Sequence, residues 1–217
     1  MHLQLPAAAE VIALHDRLLG IAGWPAHEPA ALDGGWWRWV QTNHRFNCRL
    51  WAEEDLARRK AVGDAEIAAN KRAIDGFNQA RNDATERVDE LLLIRLGLLD
   101  ASSAGTDAPV SVMAGGARLN SETAGSIIDR MSIMALKMHA MRAQTLRRDV
   151  DAAHVESSRV KLGRLQQQRT DLGDCLEALL ADSLAGRAYF KVYRQFKMYN
   201  DPRFNPALVA ELARAKT

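Results

Sequence analysis

Residues 64–99 read DAEIAANKRAIDGFNQARNDATERVDELLLIRLGLL, and this stretch gives the clearest indication of the fold class. It contains no proline, and one side of it carries apolar residues at helical spacing: Ala73, Phe77, Ala80, Ala84, Val88 and Leu91. A period of three to four residues is typical of an amphipathic helix, whereas a half-buried strand alternates at every second residue. The stretch therefore predicts one long helix from Asp64 to about Leu99.

The rest of the chain is also rich in helix formers, with glycine and proline concentrated at a few breaks. Further helices are predicted at about 6–22, 36–60, 120–154, 155–196 and after Asn205-Pro206. Short connections favour antiparallel neighbours. We predict an all-α antiparallel bundle of about five to six helices in a single domain. Its parts are an N-terminal helix and loop (1–35), a helix pair (36–99), a mobile loop (100–118) and C-terminal helices (119–217).

Composition narrows the classes of function. The 217 residues carry a net charge of only +2, so no nucleic-acid partner is expected. The longest apolar run, Leu91–Leu99, is interrupted by Arg95, so no membrane span is predicted. Acidic and basic residues interrupt the N-terminal segment where an export signal would need an apolar core, so a cytoplasmic location is expected. Cys48 and Cys175 fit no metal-ligand spacing and are predicted to be free thiols.

The second helix carries an unusual polar stripe. Large aromatic residues, amides and carboxylates share one side of it: Trp36, Val40, Asn43, His44, Asn47, Trp51, Glu54, Asp55 and Arg58. A solvated face would not normally hold two tryptophans among its polar groups, so we expect this stripe to border the bundle interior. Trp51 is predicted to be buried or to line a pocket.

The third and fourth helices repeat this feature. Asp75, Asn78, Asn82, Glu86 and Asp89 follow one line along the third helix. Asparagine is a poor residue inside a helix, so two of them beside two carboxylates favour a polar pocket wall. A solvated face is the alternative interpretation. On the fourth helix, Asp129 and Arg130 lie on the side away from a methionine stripe that is interpreted as core packing.

Paired carboxylates are the main candidates for catalysis. Glu86-x-x-Asp89 places two acids on one helical face, and Glu54–Asp55 would face them if the two helices are antiparallel. Four such carboxylates would suit Mg²⁺ or Mn²⁺ bridging a phosphate group, or acid–base chemistry. All-α nucleotide pyrophosphatases use similar helix-borne acids, but Ala57 stands where their third acid belongs. No nucleophile elbow, phosphate loop or dinucleotide fingerprint is present.

The remaining stripe residues predict a ligand site. In this hypothesis Asn47, Asn78 and Asn82 bind hydroxyl groups, and Arg58 and Arg130 bind phosphate. Trp51 stacks on a ring, while His44 and Asp129 complete the lining. A lone histidine is also a common hydrogen-bonded structural residue, so both interpretations of His44 stay open.

Several strings together resemble the bacterial family known as domain of unknown function 4254. They are His44-Arg45-Phe46-Asn47, Leu50-Trp51, Glu54-Asp55, Ile74-Asp75, Asn78-Gln79, Arg81-Asn82, the run from Asn120 to Arg130, and Lys197-Met198-Tyr199-Asn200-Asp201-Pro202 with Asn205-Pro206. The family usually has proline at the position of Ala124. The resemblance implies a cytoplasmic protein encoded near genes for lipopolysaccharide or other surface-glycan synthesis, and it assigns no catalytic residue.

Residues and resemblance together predict a helical-bundle protein of bacterial surface-polysaccharide assembly. It would bind or process a phosphorylated or nucleotide-sugar ligand in a pocket lined by carboxylates and asparagines. The alternative is a non-catalytic accessory protein that docks on a glycosyltransferase through exposed aromatics or the methionine-rich helix.

Overall fold

The computed structural model describes residues 4–27, 35–112, 115–195 and 201–215. Within these ranges the chain forms six α-helices: α1 (Ala8–Leu19), α2 (Trp36–Leu56), α3 (Asp64–Leu96), α4 (Ala124–Thr145), α5 (Ala152–Leu184) and α6 (Pro206–Arg214). Two short strands, β1 (Arg118–Leu119) and β2 (Ala188–Tyr189), pair in parallel. The predicted all-α class is confirmed.

Helices α2 and α3 form an antiparallel hairpin. The Arg87 guanidinium lies 5.8 Å from the Trp39 ring centroid near the open end of the hairpin. At the connection, Asn70 donates a 2.7 Å hydrogen bond to Glu53. Gly63 precedes α3, and the first turn of α3 carries acidic residues that suit the positive end of the helix dipole.

Helices α4 and α5 form a second hairpin, and α1 packs against both of them. The core between the two hairpins and α1 contains fully or almost fully buried apolar side chains, including Leu18, Leu92, Ile127, Met131, Leu176 and Phe190. Met138 is also buried. Met131 and Met138 of the methionine stripe are therefore core residues, and Met134 packs against the core while partly buried.

The largest errors in the predicted helix boundaries concern the ends of α4 and α5. Helix α4 ends at Thr145, and Asp151 starts α5 by accepting a 2.7 Å hydrogen bond from the His154 N–H. Asp151 is a good N-cap because its carboxylate satisfies a free amide of the first turn. Helix α5 stops at Leu184, since Gly186 adopts φ 70°, which favours glycine.

The segment 100–118 has more structure than the predicted mobile loop. A 3₁₀ turn covers Ala101–Ser103, and its preceding Asp100 accepts hydrogen bonds from the Ser102 N–H and hydroxyl. Backbone hydrogen bonds join Asp100 to Val110 and Val112 to Leu98. Three internal stretches of the predictions lie outside the described residues: 28–34 in the loop after α1, 113–114 in the predicted mobile loop, and 196–200, which covers the predicted end of the fifth helix and part of the last string of the family resemblance.

Among the described residues, no helix combines the length and apolar character that a membrane span requires.

Candidate functional site

A polar cavity of about 410 Å³ lies between α3, the start of α4 and the segment that follows β2. Charged, hydroxyl and amide side chains line it: Arg81, Asn82, Thr85, Glu86, Asp89, Ser121, Thr123, Ser126, Asp129, Arg130, Tyr193, Arg194 and Gln195. The predicted residues Asn82, Glu86, Asp89, Asp129 and Arg130 therefore share one cavity.

Asp89 is the most strongly perturbed acid of this cavity. Its Oδ1 accepts a 2.6 Å hydrogen bond from the Gly125 N–H in the first turn of α4. The pKa of Asp89 is raised to about 7, mainly by burial; hydrogen bonds from Thr123 and Gly125 oppose this rise, and the nearby charges of Glu86 and Glu90 add to it. A carboxyl group with a pKa near neutrality can both give and take a proton.

The stability of the protein should depend on pH through Asp89. Between about pH 4 and pH 7 the folded state keeps a proton that the unfolded state has lost, so the contribution of Asp89 to stability falls as pH rises. An Asp89→Asn variant cannot ionise. Its free energy of unfolding relative to wild type should increase with pH, by up to about 1.4 kcal/mol per pH unit in this window. Urea unfolding of both proteins between about pH 5 and pH 8 measures this difference, and a flat difference would contradict the assignment.

A tight helix crossing positions Asp89 against α4. A Cβ atom at Gly125 would lie 2.6 Å from the carbonyl oxygen of Thr85 and 2.9 Å from the Asp89 carboxylate. Only glycine allows α3 and α4 to approach this closely, because any side chain would push the two backbones apart.

An ion network at the cavity wall joins α3 to the segment that follows β2. Arg194 binds Glu86 at 2.6 Å and also Glu90, which is fully buried. Glu90 additionally binds Arg87 and accepts a 2.8 Å hydrogen bond from the Gly105 N–H. Glu86 is thus committed to an ion pair, and it is held at the cavity wall by Arg194.

A network of asparagine hydrogen bonds joins α2 to α4 beside the polar cavity. Asp129 Oδ1 accepts hydrogen bonds of 2.8 Å from both Asn43 and Asn47. Asn47 also donates to Ser132 at 3.0 Å and is almost completely buried. The amide hydrogens of Asn47 are therefore used inside the protein and are not free to bind ligand hydroxyls as predicted.

Arg81 stands beside this network with an unsatisfied donor. Its Nε is buried without a hydrogen-bond partner and lies 4.0 Å from Asp129 Oδ1, beyond hydrogen-bond range. Its Nη2 donates to Asn82 at 3.0 Å. Arg81 lines the polar cavity and also a second cavity.

The second cavity, which we call the middle cavity, has a volume of about 320 Å³ and lies between α2, α3 and α4. It is lined by most of the remaining predicted residues together with apolar side chains: Asn47, Leu50, Trp51, Glu54, Asp55, Arg58, Asn78, Arg81, Ile133 and Leu136. Trp51 is 37% exposed and lines this cavity. Arg58 pairs with Glu54 at 2.9 Å on the exposed rim.

The four predicted carboxylates do not form one cluster. The hairpin is antiparallel, but its register sets Glu53 opposite Asn70 and Trp39 near Arg87. Glu54–Asp55 and Glu86–Asp89 therefore lie in separate cavities, toward opposite ends of the hairpin. Within the described ranges, no group of three histidine, cysteine or acidic residues is arranged to hold a metal ion. A four-carboxylate Mg²⁺ or Mn²⁺ site is not formed by this register.

His44 is an interior residue that lines neither cavity. Its Nδ1 lies 2.8 Å from the Ser132 hydroxyl, and its ring stacks on His15 with centroids 4.5 Å apart. Burial lowers the pKa of His44 to about 4, although Asp16 and the His15 backbone oppose this shift. The fully buried side chain therefore makes the contacts of a hydrogen-bonded interior residue, and its role in ligand binding stays a prediction.

Several cavity residues were missed by sequence reasoning. Arg81 and Thr85 stand eight and four residues before Asp89 on α3, so helical spacing could have found them. Thr123 could have been found as an N-cap, because its hydroxyl accepts a 3.1 Å hydrogen bond from the Ser126 N–H. Tyr193 and Arg194 follow β2, and no local pattern connects them with α3.

Comparison with protein families gives a match over residues 37–192 to the model described as "Protein of unknown function (DUF4254)". No curated protein and no solved structure gives a significant match to the chain. The matched region contains all of α3, α4 and α5 and nearly all of α2, and it includes nearly every residue of the two cavities.

Proposed function

We propose that this chain, which belongs to the DUF4254 family, binds a phosphorylated sugar or nucleotide-sugar ligand in the polar cavity. The observation that carries the proposal is the convergence of three arginines, five hydroxyl-bearing side chains and a carboxyl group with a pKa of about 7 on one cavity.

The arginines supply the recognition of phosphate. Guanidinium groups bind phosphate oxygens through paired, charge-assisted hydrogen bonds. Arg81 is the best placed, because its buried Nε lacks a hydrogen-bond partner and the side chain borders both cavities. Arg130 is held at the rim by a 2.6 Å ion pair with Glu122.

The hydroxyl and amide groups suit a polyhydroxylated ligand. Ser121, Thr123 and Ser126 lie around the start of α4, and Asn82 lies across from them on α3. Such groups can each donate and accept, which matches the mixed donors and acceptors of a sugar. A cavity of about 410 Å³ lies within the usual range for small-ligand sites.

Asp89 would exchange a proton with the bound ligand. Its oxygen faces the cavity from a dry, buried position at the N-terminal end of α4. A phosphate bound nearby would raise the pKa of Asp89 further by charge repulsion, so the carboxyl would act as a proton donor at neutral pH. The role in surface-glycan assembly stays a prediction from the family resemblance.

Ligand binding can be tested with a matched pair of arginine variants. Thermal-shift and calorimetric titrations with a panel of sugar phosphates and nucleotide sugars should identify a ligand that stabilises the wild type, by about 2.7 kcal/mol at 100 times its Kd. Arg81→Gln should weaken that ligand at least tenfold, because the guanidinium whose Nε lacks a hydrogen-bond partner is lost. Arg72→Gln changes an exposed arginine of the same helix outside both cavities and should bind like wild type. Absence of any shift, or equal binding by both variants, would refute the proposal.

A further inference from the structure

We infer that the ligand of the polar cavity carries a long hydrocarbon chain, and that this chain binds along α4 into a third, apolar cavity. This inference deepens the proposed function and rests on it. The apolar cavity has a volume of about 400 Å³ and lies between α4 and the first half of α5.

One face of α4 connects the three cavities. From the N-terminal end, Ser126, Asp129 and Arg130 line the polar cavity, Ile133 and Leu136 line the middle cavity, and Ala140, Met141 and Gln144 line the apolar cavity. These positions recur at the three-to-four-residue spacing of a single helical face. With a rise of 1.5 Å per residue, the face from Ser126 to Gln144 is about 27 Å long.

Shared side chains show that the cavities adjoin one another. Arg81 lines both the polar and the middle cavity, and Trp51 lines both the middle and the apolar cavity. The three cavities therefore adjoin one another along α4, with Arg81 and Trp51 at their two boundaries, and we call this row of cavities the groove. An extended ligand is the kind of molecule that would occupy all of them.

The chemistry of the groove changes along its length. The polar end offers arginines and hydroxyls. The middle section has an apolar side formed by Leu50, Trp51, Ile133 and Leu136, and the far section is lined by Trp51, Ala140, Met141 and Leu165. A polar head and an apolar chain would each find matching surroundings, since apolar surface gains free energy when it leaves water.

Cations border the apolar section. Lys137, Lys161 and Arg164 line it, and no acidic residue does. Their aliphatic stems can cover apolar surface while their charged ends stay in water. This rim disfavours a ligand whose far end is positively charged, and it is compatible with the uncharged hydrocarbon chain that the inference places there.

The class of ligand is therefore a phosphate ester of a long-chain alcohol, with or without a sugar on the phosphate. About 15 Å separates Arg130 from Ala140 along α4, and an extended dodecyl chain is of comparable length. Ethyl phosphate and dodecyl phosphate provide matched probes, because they share the head group and differ in the chain.

Calorimetric titrations below the micelle concentration test the inference. Dodecyl phosphate should bind at least tenfold more tightly than ethyl phosphate. Met141→Glu should reduce this advantage to less than threefold by placing a charge in the apolar cavity. Val160→Glu introduces the same charge at an exposed position of α5 outside the cavity and should keep the full advantage. If Met141→Glu does not fold, Ala140→Phe provides the same test by filling the cavity.

The outcomes separate the two proposals. Equal affinities of the two phosphates, both weakened by Arg81→Gln, would overturn the chain site and leave the proposed function standing. An advantage of dodecyl phosphate that survives Met141→Glu, or equally tight binding of dodecyl maltoside, would also overturn it, because the chain would then bind elsewhere or without its head group. Failure of both phosphates to bind would count against both proposals.

Discussion

Replacing Arg194 with methionine should lower the free energy of unfolding by about 3 kcal/mol. Arg194 neutralises Glu86 and Glu90, and Glu90 is fully buried. Removal of the guanidinium leaves Arg87 as the remaining cationic partner of Glu90. One positive charge less then offsets the cost of burying the Glu90 carboxylate. Urea unfolding followed by circular dichroism gives the free energy directly.

Two companion variants make this test specific. Arg187→Met removes an exposed arginine that pairs with Asp182, and it should leave stability nearly unchanged because surface ion pairs contribute little. Adding Glu90→Gln to Arg194→Met should restore part of the lost stability, since the negative charge that Arg194 neutralised is then removed as well. An Arg194→Met protein as stable as Arg187→Met would show that the network does not support the fold.

Replacing Gly125 with alanine should destabilise the protein by about 3 kcal/mol, which is the upper range for overpacking. Alanine normally stabilises a helix relative to glycine, so the expected loss of stability is opposite to the usual effect of this substitution. The added Cβ would lie 2.6 Å from the Thr85 carbonyl oxygen, and backbone atoms cannot swing aside as a flexible side chain can. Separation of α3 from α4 would also weaken the hydrogen bond from the Gly125 N–H to Asp89.

Gly163 provides the matched control for this change. It lies within α5, and a Cβ there would meet no atom within 4 Å. Gly163→Ala should therefore stabilise the protein by roughly 0.5–1 kcal/mol. Thermal or urea unfolding shows whether each variant is more or less stable than the wild type. A stabilised Gly125→Ala protein would mean that α3 and α4 are not so closely packed at this position.

Local patterns predicted the helices well because period and composition are local properties. The long third helix, for example, was predicted from Asp64 to about Leu99 and ends at Leu96. The predicted cluster of four carboxylates is not formed, because it depended on the register between α2 and α3. Antiparallel pairing places Glu54 near Glu86 in one register and far from it in another, and the sequence period is the same in both.

The polar stripes were informative for a related reason. Asn82, Glu86 and Asp89 do lie together at one cavity, since residues three or four apart share a helical face whatever the register. Their partners could not be predicted in this way. Arg194 reaches Glu86 and Glu90 from a segment more than 100 residues later, and only the tertiary fold brings these charges together.

The short parallel pairing of β1 and β2 has a consequence for the order of folding. Backbone hydrogen bonds that include those from Arg118 to Arg187 and from Asn120 to Tyr189 join segments separated by the whole α4–α5 hairpin. Closing so long a loop costs more chain entropy than a two-residue strand pair recovers, so we expect the helices to dock before the strands pair. Thr123 and Tyr193 lie four residues beyond these strands, and we therefore expect the polar cavity to form late in folding and to open early in unfolding.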